Sequence, residues 1–426
     1  MLVLGVFIVL LLLIFINVPI AVSLAVAAIF GLVMTEGVDS LVTVALDMYD
    51  GSTKFSLIAI PMFVLAGAIM NAGGITDRLI NFVAALIGFV RGGLAMVNIG
   101  VSLFFAEISG SAVADVAALG SVMIPQMKKR GYSAPLSAAV TSSSASLAII
   151  IPPSIPMIVY GVSANASIEQ LFVAGLVPGL LGAIGLMSVA YAFAVKYDLP
   201  TEEAFNTKRV KETFKEALPT FLLPVIILGG IFGGFVTATE AAGLAVVVAL
   251  GLGIYYREVN FKRLKSAMVE GGMQTAVVML LVAASVLMGG FLTRAQIPQE
   301  LAQSLMAMTS NQYVILAILN VFFLIIGFFL HSVAAIILVV PIVIPLIELA
   351  GIDPVHFGLI VTLNLAIGQQ TPPVASVLIT SCSIAKANIW DVSKVNIWFV
   401  AVLLVVLLLC TYVPAVPMFL VEYFYR

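Results

Sequence analysis

Two stretches, Ile150-Ile151-Pro152-Pro153-Ser154 and Gly368-Gln369-Gln370-Thr371-Pro372-Pro373, each place a double proline inside a long apolar segment. Proline has no N–H to donate and its ring clashes with the preceding turn. The residue before it is pushed out of helical geometry as well. Two in succession open a helix, and in hydrocarbon the freed main-chain groups have no water to bond. Something else must satisfy them. A shift of 220 positions lays Pro152-Pro153 on Pro372-Pro373, Ile124-Pro125 on Ile344-Pro345, and Val113-Ala114 on Val333-Ala334. The same shift lays Gly131 on Gly351 and Gly51 on Gly271. Chance matches between apolar stretches are common, but paired prolines and glycines at one offset are not. The chain is an internal duplication.

Composition gives the solvent. Hydrophobic residues make up 62% of the chain and charged residues 9%, against about 25% charged in a soluble domain. Apolar runs such as Leu2–Met34, Phe55–Met70, Leu171–Val195, Phe221–Phe235, Ala241–Tyr256, Val314–Leu330 and Trp398–Leu420 suit a bilayer that takes about 20 residues per spanning helix. They are continuous rather than alternating, so helices are expected and a β-barrel is not. Leu2–Met34 is too long for a signal-peptide core and has no basic leader, so a retained helix is expected. Cys382 and Cys410 read as buried free thiols. No basic aromatic patch points to nucleic acid.

Charge sets orientation. Lys128-Lys129-Arg130, the group Lys196, Lys208, Arg209, Lys211 and Lys215, and the group Arg257, Lys262, Arg263 and Lys265 belong in the cytoplasm. The stretch Thr35–Ser52 carries Glu36, Asp39, Asp47 and Asp50 without a basic residue and belongs outside. Alternating crossings then put Arg78, Arg91, Lys386 and Lys394 inside, leaving Lys54, Arg294 and Arg426 to be explained. Lys128–Arg130 falls on Glu348-Leu349-Ala350, which has no positive charge, so the two repeats are expected to be inverted. The mixed-charge stretch Lys196–Glu216 reads as a cytoplasmic connector with an interfacial helix. Inverted repeats with interrupted helices point to a secondary transporter.

Each repeat has a second break, a polar tip between two short apolar flanks. In the first it is Glu107-Ile108-Ser109-Gly110-Ser111-Ala112, between Leu94–Ala106 and Val113–Met127; in the second it is Leu330-His331-Ser332-Val333. Flanks of that length, about 20 Å of helix, suit re-entrant hairpins. The opened carbonyls beside the prolines suit a dehydrated sodium ion, and the helix N-terminus beyond each break suits an anion. Thr141, Ser142, Ser143, Ser144 and Ser146 precede the first break, and Thr362 and Asn364 the second. They offer neutral oxygens to a hard cation or hydrogen bonds to a carboxylate, and small serines also serve helix packing. Glu107, Asp115, Glu240, Arg294 and His331 are costly in apolar segments and are functional candidates. Asp115 stands one turn beyond Ser111, suited to balancing a sodium charge or locking the tip. Arg294 is placed to attract an anion, meet a partner or anchor an interface.

The run Phe105-Ala106-Glu107-Ile108-Ser109-Gly110-Ser111-Ala112-Val113-Ala114-Asp115, with Ile151-Pro152-Pro153-Ser154, Thr371-Pro372-Pro373 and the opening Asn17-Val18-Pro19-Ile20, resembles the large membrane subunit of tripartite ATP-independent periplasmic (TRAP) transporters. The likeness extends over essentially the whole chain. It implies an all-α polytopic membrane protein with two inverted-topology repeats, each carrying a re-entrant helical hairpin and a broken transmembrane helix, in an elevator-type ion-transporter fold. The implied division is scaffold and arm helices over 1–93, the first hairpin and broken helix over 94–170, scaffold, connector and second arm over 171–311, the second hairpin and broken helix over 312–389, and a C-terminal scaffold helix over 390–426.

The resemblance also implies sodium as coupling ion and no organic cofactor. Sodium is expected at Ser109, Gly110, Ser111, Ile151 and Pro152, and again at His331, Ser332, Gly368, Gln369 and Thr371. Substrate is expected near Ser109, Ser111, Asp115, Ser142, Ser144, Pro153, Asn364 and Pro373, with Arg294 as a candidate. His331 stands where the resemblance implies a small neutral residue. The implied partners are a small four-helix membrane subunit on a separate chain, a periplasmic substrate-binding protein and the lipid bilayer of the bacterial inner membrane. The implied cargo is a small carboxylate, of the sialic acid or C4-dicarboxylate class. A competing reading is a proton-coupled or stand-alone organic-anion transporter with Asp115, Glu107 and His331 as relay. An intramembrane hydrolase is disfavoured, since no Gly-x-Ser-x-Gly or His-Glu-x-x-His motif occurs.

Overall fold

Long apolar helices carry the chain back and forth, and proline or glycine marks most of the places where it turns. The computed structural model describes residues 2–16, 18–202 and 204–425. Asn17 and Arg426 lie outside the described residues, as does the side chain of Ile108. The described residues form helices and no strand. Among the described residues eight helices are long and apolar enough to cross a membrane, and two of these, Gln312–Phe329 and Ser332–Leu349, are the arms of one hairpin. Two expected runs are divided. Leu2–Met34 becomes Leu2–Phe15 and Ile20–Glu36, because Pro19 sits at the second helix's N-cap with extended ψ. The last run separates into Ile389–Tyr412 and Ala415–Tyr425 at Val413-Pro414.

The duplication holds element by element. Hairpin one, Gly93–Ser109 and Ala112–Lys129, matches hairpin two, Gln312–Phe329 and Ser332–Leu349. Broken helix one, Ala134–Ala145 and Ile155–Ala164, matches broken helix two, Pro354–Gly368 and Ser376–Ala385. The repeats also exchange partners. Ser332–Leu349 packs on Ile155–Ala164, while Ala112–Lys129 packs on Ser376–Ala385. In the scaffold Ile20–Glu36 packs on the long helix Phe261–Arg294, and Ala238–Tyr255 on Ala59–Ala72. Neither repeat buries its apolar faces alone.

Ion pairs fix the hairpin topology. Arg91 before hairpin one pairs with Asp198 at 3.6 Å, and Arg130 after it pairs with Glu202 at 3.1 Å. Both ends of the hairpin therefore lie on the connector side. Lys128 Nζ also donates to Ala385 O at 2.9 Å, placing the end of broken helix two there. From Ala385 the chain runs through the 24-residue helix Ile389–Tyr412, about 36 Å, to Tyr412, whose ring meets Tyr313 at the start of hairpin two. The two hairpins enter from opposite faces. Their arms run 17 or 18 residues, longer than the flanks suggested, because the helices continue to within two residues of each tip.

Main chain touches main chain where hairpin two meets its broken helix. A Cβ on Gly368 would lie 2.5 Å from Gly327 Cα and 2.6 Å from its carbonyl carbon. Backbone cannot yield as a flexible side chain can. Gly368→Ala is expected to cost about 1–3 kcal/mol, as overpacking does, and to lower the melting temperature of the purified protein. Gly243→Ala, on a helix with nothing within 4 Å, should not. Equal melting temperatures for the two variants would contradict this packing.

Candidate functional site

The first break begins where Ala134–Ala145 tightens into the 3₁₀ turn Ser146–Ile149. Ile150 N and Ile151 N both donate to Leu147 O, at 2.9 and 2.8 Å. Ser154 then reaches back across the prolines, its Oγ donating to Ile149 O at 2.7 Å. The same oxygen accepts Met157 N at 3.4 Å and caps the following helix. Ile155 N donates to Gly110 O at the tip of hairpin one, at 3.4 Å. Gly110 has φ 58°, and a Cβ there would stand 3.0 Å from Pro153 O, so only glycine fits without strain.

The second break is built in the same way. Thr371 N donates to Gly368 O and Val377 N to Gln369 O. Thr371 Oγ1 donates to Ile367 O at 3.0 Å. Val374 N donates to Phe328 O beside the tip of hairpin two, at 3.2 Å, as Ile155 N does to Gly110. Both Pro-Pro peptide bonds are cis.

A polar chain joins the two breaks. Gln370 Nε2 donates to Ser146 Oγ at 2.7 Å, and Ser143 Oγ donates to Asn396 Oδ1 at 2.7 Å. Asn396 Nδ2 returns to Gln370 O at 3.1 Å. Gln370, Ser143, Ser146 and Asn396 are all buried, so this network fixes both broken helices to Ile389–Tyr412. Sequence reasoning missed Gln370 and Asn396. Asn396 carried a usable signal, an amide inside a spanning helix.

One cavity of about 910 Å³ lies where the tips and breaks converge. Ser109, Gly110, Ser111, His331, Ser332 and Gln369 line it, with Ser376 and Ile155 from the helices beyond the breaks. The scaffold supplies the opposite wall from Val64 to Asp77 and from Glu270 to Val278. Asp77 and Glu270 stand next to Arg78 and the Lys262–Lys265 cluster, so the cavity opens on the face that charge assigns to the cytoplasm.

The other expected residues lie elsewhere. Ile151, Pro152 and Gly368 are buried behind the tips, and Thr371 and Pro373 lie outside the cavity lining. Pro153 is likewise buried, its carbonyl against Gly110. Asp115 is fully buried and does not line the cavity. It accepts a short hydrogen bond from Ser109 Oγ while its N–H takes Ser111 O at 3.0 Å. It thereby clasps the two arms at the tip. Ser144 bonds Ser102 at 2.9 Å and Asn364 bonds Asn320 at 2.7 Å, each tying a broken helix to its hairpin. Ser142 is buried beside them with its hydroxyl unpartnered. Arg294 pairs with Asp47 at 2.9 Å and Glu36 at 3.7 Å, in the acidic outer stretch and outside the cavity lining, which suits an interface anchor among its expected roles. Among the described residues no cluster of His, Cys, Asp and Glu could hold a metal.

A family model described as "Tripartite ATP-independent periplasmic transporter, DctM component" matches residues 7–416. This chain belongs to the DctM family. It is 41% identical over 408 residues to the isethionate TRAP transporter permease protein DctMQ of Oleidesulfovibrio alaskensis, covering 95% of the chain and 64% of that protein. It is 36% identical over 413 residues to the sialic acid TRAP transporter large permease protein SiaM of Vibrio cholerae, covering 97% and 96%. The Alcanivorax borkumensis YdaH transporter, whose crystal structure was described as having an unusual topology, shares the fold at TM-score 0.65 and 14% identity, over 89% of each chain. The DctM-family chain is thus a multi-pass membrane permease for secondary transport of small acids, with an elevator-type fold.

Asp115→Ala should leave Ser109 unclasped and loosen the tip. We expect transport to fall at least about tenfold, the loss of a buried hydrogen bond. Removing a charge at Lys211, on the connector helix, should leave transport unchanged. Uptake assays on the two variants side by side check this.

Proposed function

We propose that this chain imports a small acid by sodium symport, moving the hairpins and broken helices as one unit against the scaffold. The observation that carries this reading is the convergence of both tips and both opened helices on one cavity. Sodium suits the breaks because carbonyls and hydroxyls are hard oxygen ligands. Ser109 to Ser111 with Ile151-Pro152, and Ser332 with Gly368 and Thr371, are the groups from which two sites would be made. Cargo of the sialic acid or C4-dicarboxylate class fits the family, and the relative named for isethionate adds a sulfonate to the acids considered. A periplasmic binding protein would deliver it, and a small four-helix subunit on a separate chain would widen the scaffold, in the bacterial inner membrane.

The elevator motion has support in the inequality of the repeats. Helix Ile75–Ile87 packs on the first arm of hairpin one, whereas its counterpart Ile297–Met308 packs on the second arm of hairpin two. Lys54 Nζ donates to Val162 O at 3.4 Å, three residues before the left-handed Asn165. Its counterpart Gln274 instead lines the open cavity. Exchange of these two environments gives a state open to the other side.

The test is uptake into proteoliposomes containing the chain with its small subunit, with binding protein outside. A sodium gradient should drive accumulation and a potassium gradient should not. Pro372-Pro373→Ala-Ala should restore helix and weaken the sodium dependence. Uptake driven by a pH gradient without sodium would favour proton coupling, the reading for which the unpartnered buried oxygens of Glu107 and Asp115 speak. In a background with Cys382→Ser and Cys410→Ser, Lys54→Cys with Val162→Cys should cross-link and trap the present state. Gln274→Cys with Ser383→Cys, a residue that stands three before the left-handed Lys386 as Val162 stands three before Asn165, should cross-link only during turnover. Failure of this second pair to form in a transporting sample would contradict the exchange.

A further inference from the structure

Gln369 and His331 carry chemistry that does not suit the sodium ligands they were expected to be. Gln369 is 1% exposed yet lines the cavity. Its Oε1 already accepts Ser376 Oγ at 3.2 Å, while its Nε2 has no partner. A buried donor left unpaired is costly and calls for an explanation. An amide NH₂ has only hydrogens to offer, and these repel a cation. They suit an acid's oxygen. His331, exposed on the tip of hairpin two, presents ring nitrogens to the same space, not the oxygens that a hard cation prefers.

The cavity holds few alternatives. Among its described lining residues there is no Lys or Arg, and Asp77 and Glu270 at the mouth bear the charge of the cargo. Asn71 and Gln274 also carry amides, but they stand on the scaffold wall. A solute that travels with the moving unit needs donors that travel with it. Gln369 and His331 both belong to that unit, one on broken helix two and one on hairpin two.

We propose that Gln369 Nε2 and the His331 imidazole form the pole that binds the acid group of the substrate, and that Ser376 is a positioning residue holding the Gln369 amide with its donor toward the cavity. The second sodium site is then left to the oxygens of Ser332, Gly368 and Thr371. This assignment rests on the transport reading above. It places the carboxylate or sulfonate at the second tip and the remainder of the solute toward Ser109 and Ser111.

The experiment is a pair of titrations on the purified full chain, read as melting temperature. Sodium is titrated against choline, and then isethionate, sialic acid or succinate is titrated at saturating sodium. Gln369→Leu and His331→Ala should each raise the acid concentration for half the shift by about tenfold or more, the loss of one hydrogen bond to a charged group. The sodium midpoint should stay within about twofold. Gln369→Glu, nearly the same shape with an anion in place of the donor, should abolish the acid response and keep the sodium response. A rise of about tenfold in the sodium midpoint with an intact acid response overturns the assignment and leaves sodium transport standing. A wild-type chain that responds to neither sodium nor acid overturns both.

Discussion

Main-chain polar groups inside a membrane must find partners within the protein, and at two places this chain makes them lose their own. Each double proline removes two donors and parts a helix, at a cost of several kcal/mol for every group left unsatisfied in hydrocarbon. The structure answers with the hairpin tips. Gly110 O takes the N–H of Ile155, and Phe328 O takes that of Val374. Ser154 covers Ile149 O from within the first break. Each tip is thus part of the solution to its repeat's broken helix. That mutual need brings each tip against its own break, and at the first tip it leaves room only for glycine at Gly110.

The same constraint ties the two repeats together. Gln370, Ser146, Ser143 and Asn396 link break to break through a helix outside both hairpins, so the breaks behave as one body. Bonds also tie that body to its surroundings, Lys54 to Val162, Arg130 to Glu202 and Asn320 to Thr411 among them. On the elevator reading proposed above, this body is the unit that moves, and the cavity between the tips moves with it. Function follows from where the unpaired groups were left.

Much of this was legible in the chain. Proline pairs at one offset gave the repeat, and the skewed distribution of lysine and arginine gave its inversion. Small polar tips gave the hairpins. Side-chain destinations were not legible, because the same hydroxyl or amide can face a ligand or a neighbouring helix. Ser144 and Asn364 turned to Ser102 and Asn320, since a buried polar group takes the nearest partner the packing offers. Arg294 meets Glu36 and Asp47, about 250 residues away in sequence, only after folding, so the choice among anion, partner and anchor was not legible. The split of the first apolar run falls at Pro19, a signal visible in the chain but outweighed by the hydrophobicity around it.

Amide hydrogen exchange of the full chain in lipid, compared in sodium and in choline, tests most directly whether the opened helices and tips are where the coupling ion binds. Sodium should slow exchange in four segments, 107–112, 150–157, 328–334 and 368–377, and leave the scaffold helices unchanged. Protection confined to the scaffold, or identical exchange at both breaks in the two salts, would contradict the account.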